Sequence, residues 1–139
     1  MIILDTNVVS ELTRLTPNPS VVAWLDRQGE ALIWITSITV LEIRTGIEIL
    51  PQSRRRDTLS VDFDRFLDTD IQGRVVAFDT EAARIAAAMT ATRRRTGRSG
   101  ELRDTMIAGI AAAIGADLAT RNTRHFDDLS ITLIDPWTA

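Results

Sequence analysis

Short apolar runs alternate along this chain with stretches in which apolar residues recur every three or four positions. Ile2 to Leu4 predicts a buried strand, and a helix follows over Asn7 to Arg14, closed by the turn Thr16-Pro17-Asn18-Pro19. Val21, Val22, Trp24 and Leu25 form one face of a second helix, Gly29 ends it, and Ala31 to Ile35 supply a second strand. Thr36 or Ser37 caps a third helix, in which Val40, Ile43, Ile47 and Leu50 keep helical spacing until Pro51 stops it. Leu59, Phe63, Phe66 and Leu67 mark a fourth helix, and Arg74 to Phe78 a third strand. Asp79 or Thr80 then caps an alanine-rich helix running to Arg95. After the loop Gly97-Arg98-Ser99-Gly100, the positions Leu102, Met106, Ile107, Ile110 and Ile114 mark a sixth helix that Gly115 ends. Strands over Asp117 to Thr120 and Ile131 to Ile134 complete the chain.

Strands that alternate with helices predict the α/β class, with a mainly parallel central sheet and helices on both faces. Ligands of such sheets bind outside the carboxyl ends of the strands, where Asp5 and Asn122 fall. A length of 139 residues, 45% of them hydrophobic, is one ordinary domain, so residues 1–139 are expected to fold as a unit. The opening residues lack a basic segment and no apolar run approaches membrane-spanning length, which predicts a cytoplasmic protein without a membrane partner.

Composition narrows the chemistry. Cysteine is absent, which removes disulfides, thiolate metal sites and cysteine nucleophiles. All 16 basic residues are arginine, so Schiff-base and P-loop lysine chemistry are excluded as well. A net charge of −3 argues against broad non-specific nucleic-acid binding, yet three acids neutralised by metal would bring the balance to −3 + 3 = 0.

Three acids stand where the pattern aims them into a common cleft. Asp5 ends the first apolar run, Glu42 lies early in the third helix, and Asp104 heads the run Asp104-Thr105-Met106-Ile107-Ala108. Carboxylate oxygens are hard ligands suited to Mg²⁺ or Mn²⁺, and converging acids of this kind suit metal-dependent phosphoryl transfer. Each acid also has a plainer reading: Asp5 and Asp104 as helix caps, Glu42 as part of a solvated face. Against the plainer readings, Glu42 shares its face with Gly46, Thr39 and Ile38, and Asp104 shares a stripe with Ala108, Ala111 and Ala112. The Glu42 face is therefore tight and not simply charged, and the alanines beside Asp104 let its helix approach closely enough for a carboxylate to reach a shared ion.

The segments Ile3-Leu4-Asp5-Thr6-Asn7, Thr36 to Glu42, Asp104 to Ala108 and Ala119-Thr120-Arg121-Asn122 resemble the ordered motifs of PIN-domain ribonucleases. With Asp135-Pro136-Trp137 they resemble especially the VapC and FitB-like toxins of toxin–antitoxin pairs. The resemblance spans nearly the whole chain. It implies a three-layer α/β/α sandwich, RNA as substrate, and Asp5, Glu42 and Asp104 as ligands of Mg²⁺ or Mn²⁺. It also implies a homodimer or higher homo-oligomer, and a cognate antitoxin: a small DNA-binding protein whose flexible tail blocks the site. Many relatives carry a fourth acid where this chain has Asn122, a neutral amide that could still ligate or hold a water. Thr6 and Thr120 either orient carboxylates and water or satisfy buried turns.

Other features carry less. Arg54-Arg55-Arg56 after Ser53 read as a solvated cluster, whereas Arg93-Arg94-Arg95 with Arg98 flank the loop to Asp104 and suggest phosphate contact. His125 is the sole histidine and no Gly-x-Ser-x-Gly elbow accompanies it. Trp24 and Trp34 suit the core, and Trp137 suits a docked tail. Two rival readings remain: a PIN-like interaction module with a degraded site, and a receiver-like phosphate-switch domain, against which the absence of lysine counts.

Overall fold

A computed structural model describes all residues 1–139. Five parallel strands form one sheet: β1 (Ile2–Leu4), β2 (Ile33–Thr36), β3 (Val75–Val76), β4 (Asp117–Ala119) and β5 (Leu133–Ile134), in the order β3-β2-β1-β4-β5. Six helices connect them: α1 (Thr6–Leu12), α2 (Pro19–Asp26), α3 (Ser37–Glu48), α4 (Arg54–Arg65), α5 (Thr80–Arg95) and α6 (Leu102–Ile114). Parallel neighbours need crossovers, and the helices supply them. β1 is central, paired with β2 through Ile2 and Ile33 and with β4 through Ile2 and Asp117.

Alternation along the strands divides the core into two halves. Ile2 and Leu4 point to one face with Ile33, Ile35 and Phe63, whereas Ile3 between them points to the other with Leu118, Ile107 and Ile110. The first half is closed by α1, α2 and α4, the second by α5 and α6, which gives the three-layer α/β/α arrangement. Helix α3 joins the halves, with Ile38 in one and Ile47 in the other. Close packing of α5 on α6 requires Gly109, since a Cβ there would lie 2.7 Å from the Ala82 carbonyl oxygen and 2.9 Å from the Ala86 Cβ. Gly115 ends α6 in the left-handed region at φ 65°, which its missing Cβ permits.

Several elements are shorter than the apolar pattern predicts. The third and last strands pair over two residues each rather than five and four, and both lie at the sheet edges, where only one neighbour extends the ladder. Residues Glu30–Leu32 wind a 3-10 turn, so the second strand starts at Ile33 and not at Ala31. Helix α4 runs on into a wider π turn over Phe66–Asp70. The expected caps at Thr36, Ser53 and Asp79 all accept a backbone N–H. Trp24 is in the core, Trp34 is half-buried, and Trp137 packs from the tail under the Arg121 guanidinium. No helix is long and apolar enough to cross a membrane.

Candidate functional site

The carboxyl ends of β1 and β4 lie side by side, because Leu4 pairs with Ala119, and the residues that follow them build the site. Asp5 is buried and caps α1, its Oδ1 accepting the Thr6 N–H at 2.8 Å. Its Oδ2 accepts from the Thr120 hydroxyl at 2.7 Å and from Asn7 Nδ2 at 3.1 Å. Capping and site geometry therefore coincide at this residue. Asn7 also donates to Thr120 Oγ1 at 3.3 Å and accepts the Arg121 N–H at 3.1 Å, so one amide clamps the two strand ends together.

Glu42, half-buried on α3, is brought to Asp5 by its neighbour. Thr6 donates its hydroxyl to Glu42 Oε1 at 2.9 Å and stands 3.0 Å from Thr39 Oγ1. A hydroxyl has one hydrogen, so Thr39 must donate to Thr6. Helix spacing places Thr39 one turn before Glu42 on the same face, which lets both meet one threonine.

Asp104 comes from the opposite layer, and it does not head its helix: α6 starts at Leu102, and Asp104 sits in the first turn. Its Oδ2 is 3.1 Å from His125 Nδ1, in the turn Thr123–His125. Beside the pair is a hollow of roughly 270 Å³ without a hydrophobic side chain, lined by Arg98, Ser99, Gly100, Glu101, Asp104, Arg124 and His125.

The acids feel one another across the cleft. Burial pushes the Asp5 carboxyl above its ordinary 3.8, hydrogen bonds from Thr120 and Thr6 pull against this, and the charge of Asp104 adds to the rise. Burial also raises Asp104; His125 opposes, while Glu101 and Glu42 reinforce the shift. No arginine forms an ion pair with Asp5, Glu42 or Asp104, and the nearby Arg103 binds Glu101 at 2.8 Å. Partly dehydrated acids that no arginine neutralises are a donor set whose chemistry fits a hard divalent cation.

Of the three acids expected at one point, the structure links two through Thr6 and holds the third apart. No three acidic or histidine side chains are drawn close enough to hold one ion: Asp5 and Glu42 are joined through Thr6, whereas Asp104 is turned to His125. Thr120 is in contact with Asp5. The exposed Asn122 touches the cluster only by its backbone N–H, which donates to Thr120 Oγ1 at 3.1 Å, and its side chain hydrogen-bonds nothing. Arg93, expected at the phosphate, is buried against Asp128. Sequence spacing identifies neither the clamp by Asn7 nor the pairing of His125 with Asp104. Asn7 lies within the Ile3 to Asn7 motif, but nothing local announces a contact from position 125 back to 104.

A parallel sheet sandwiched by helices, with acids beyond the carboxyl ends of its central strands, defines an α/β domain whose ligand site lies at that end of the sheet. The chain belongs to the PIN domain family, whose pattern matches residues 2–131. It is 38% identical to plasmid stability protein StbB of Pseudomonas syringae pv. tomato over 100% of both chains. It is 36% identical to VapC ribonuclease Y4jK of Sinorhizobium fredii, covering 99% of this chain and 98% of the relative. With toxin FitB of Neisseria gonorrhoeae it shares 33% identity over 99% of each. Among solved structures it is similar to FitAcB from Neisseria gonorrhoeae, with a TM-score of 0.86 and 32% identity over 100% of both chains. The FitAB complex bound to an IR36 DNA fragment gives a TM-score of 0.89 at 33% identity, covering 99% and 96%.

Proposed function

We propose that residues 1–139 act as one catalytic unit, a divalent-metal-dependent endoribonuclease that serves as the toxin of a toxin–antitoxin pair. The observation that carries this reading is the junction of Asp5, Thr6, Thr39 and Glu42, an oxygen-rich cluster within the field of Asp104. Relatives named VapC ribonuclease and toxin FitB, matched over 99% of the chain, support the reaction class and the toxin role.

Asp5, Glu42 and Asp104 would hold Mg²⁺ or Mn²⁺. When bound, such an ion supplies Lewis-acid stabilisation of phosphoryl charge and makes water a nucleophile at neutral pH. The chain's own part is orientation. Thr6, Thr120 and Asn7 occupy both oxygens of Asp5 and fix its rotamer, and Thr6 engages one oxygen of Glu42 so that the other is left to ligate. Asp104 would complete the set from α6, with the half-exposed His125 ring held beside it. Arg124, exposed at the rim of the hollow, meets the RNA backbone there. Asn122 is an auxiliary positioner of water at the strand end.

The same reading supplies partners. A cognate antitoxin, a small DNA-binding protein with a flexible tail, silences the enzyme by covering the acids, and the toxin self-associates as a homodimer or larger homo-oligomer in the cytoplasm.

Incubating the purified chain with RNA in Mn²⁺ tests the reading. Phosphodiester cleavage is expected, with loss on chelation, in Asp5→Asn and on adding antitoxin. Antitoxin binding without any cleavage would make the chain an interaction module instead.

A further inference from the structure

Helix α5 ends in three arginines, and the first is 4% exposed. Arg93 grips Asp128 with two parallel bonds, Nε to Oδ2 at 2.9 Å and Nη2 to Oδ1 at 2.8 Å. Nη2 also donates to the carbonyl of His125, and Nη1 donates to Thr105 Oγ1 at 3.3 Å. All three guanidinium nitrogens are thus engaged, by three different residues. The loop before α6 is shaped around the group, because a Cβ at Gly100 would collide with Nη1 and lie 3.2 Å from Cζ.

Two of these contacts bear on the site. Thr105 follows Asp104 in the first turns of α6, and the carbonyl is that of His125 itself, so one rigid fork spans from the hydroxyl next to Asp104 to the backbone of His125. Apolar residues could hold α5, α6 and the 121–128 loop together without dehydrating a charge. They could not set the direction of a carbonyl and a hydroxyl at once, as a planar guanidinium does.

We infer that Arg93 is a positioning residue of the candidate active site, fixing the relative placement of Asp104 and His125 through Thr105 and the His125 carbonyl. The inference rests on the proposed role of Asp104, and its test separates the two. His125 is the only histidine, so its ring gives a single set of imidazole signals in the NMR spectrum of the full chain. Arg93→Lys keeps the charge and loses the fork; Asp128→Asn weakens the fork from its far side without touching Asp104 or His125. Both variants are expected to shift the His125 ring signals at fixed pH. Both should also lower kcat for RNA cleavage by roughly tenfold or more with KM nearly unchanged, as loss of an outer partner does. Arg84→Gln, on the exposed face of α5, should change neither. Should Arg93→Lys fail to fold, Gly100→Ala pushes on the same guanidinium and is read the same way. Folded variants with unmoved His125 signals and unchanged kcat would overturn the inference, whatever their melting temperature. If the wild type cleaves no RNA, the ribonuclease reading fails, and the imidazole signals alone still decide the role of Arg93.

Discussion

Thr6 on α1 holds Glu42 on α3: its hydroxyl donates to Oε1 at 2.9 Å across 36 positions of sequence. The same residue gives its N–H to Asp5, so one threonine sets the relation between two proposed ligands. Thr6→Val removes the hydroxyl at nearly constant volume and strands Glu42 and Thr39 without their partner. A stability loss of about 1 kcal/mol is expected. Cleavage should fall further, on the order of tenfold to a hundredfold, as for other groups that orient ligands. Thr6→Ser should recover most of both, and equal activity in Thr6→Val and wild type would count against the link.

Proton and metal should compete for the site. Asp5 and Asp104 both have carboxyls raised above 3.8, so between 3.8 and the raised values the folded chain binds more protons than the unfolded one. Without metal, these two acids therefore contribute a stability that declines as pH rises through that window. A divalent cation binds the ionised forms and offsets the decline. Thermal unfolding with Mn²⁺ against chelator should show a larger metal-induced rise at pH 8 than at pH 5. A metal effect independent of pH would separate these acids from the binding site.

Packing of the second layer makes a prediction remote from chemistry. Gly109→Ala forces a methyl into the Ala82 carbonyl and the Ala86 side chain, both part of a packed helix contact that cannot yield cheaply. A loss of about 1–3 kcal/mol is expected from such overpacking, measured by denaturant unfolding. Gly46→Ala on α3, where a Cβ meets nothing within 4 Å, should be neutral or slightly stabilising.

Asn122 offers a gain rather than a loss. Its side chain is exposed and unpaired, one position beyond the Arg121 that Asn7 holds. Asn122→Asp adds a charge near the strand end, and Mn²⁺ affinity should rise about fivefold by a screened Coulomb term, with the fold intact. Unchanged affinity by calorimetry would leave Asn122 as the residue that opens the Thr123–His125 turn.

Periodicity made the layers legible because Ile2, Ile3 and Leu4 alternate between two cores and every helix but α3 turns its apolar residues to one of them. It overran the edge strands, since apolar residues at Phe78 and Ile131 continue past the paired ladder into loop packing. Asp5 and Glu42 could be read from local position: a strand end beside a cap, and a helix face shared with Thr39. Arg93 and His125 could not. Arg93 reads locally as a helix-terminal cation, and only the two loops that carry Gly100 and Asp128 turn it inward. The pairing of His125 with Asp104 depends on the second of these loops, so no spacing within either segment encodes it.

The proposed metal site requires Asp5, Glu42 and Asp104 to act on one ion even though Asp104 rests on His125 and not on the other two. Calorimetric titration of Mn²⁺ into the wild type, Glu42→Gln and Asp104→Asn decides it most directly. Each substitution is expected to weaken binding by roughly tenfold or more with the fold retained. Wild-type affinity in folded Asp104→Asn would show that this acid does not share the ion, and would contradict the account.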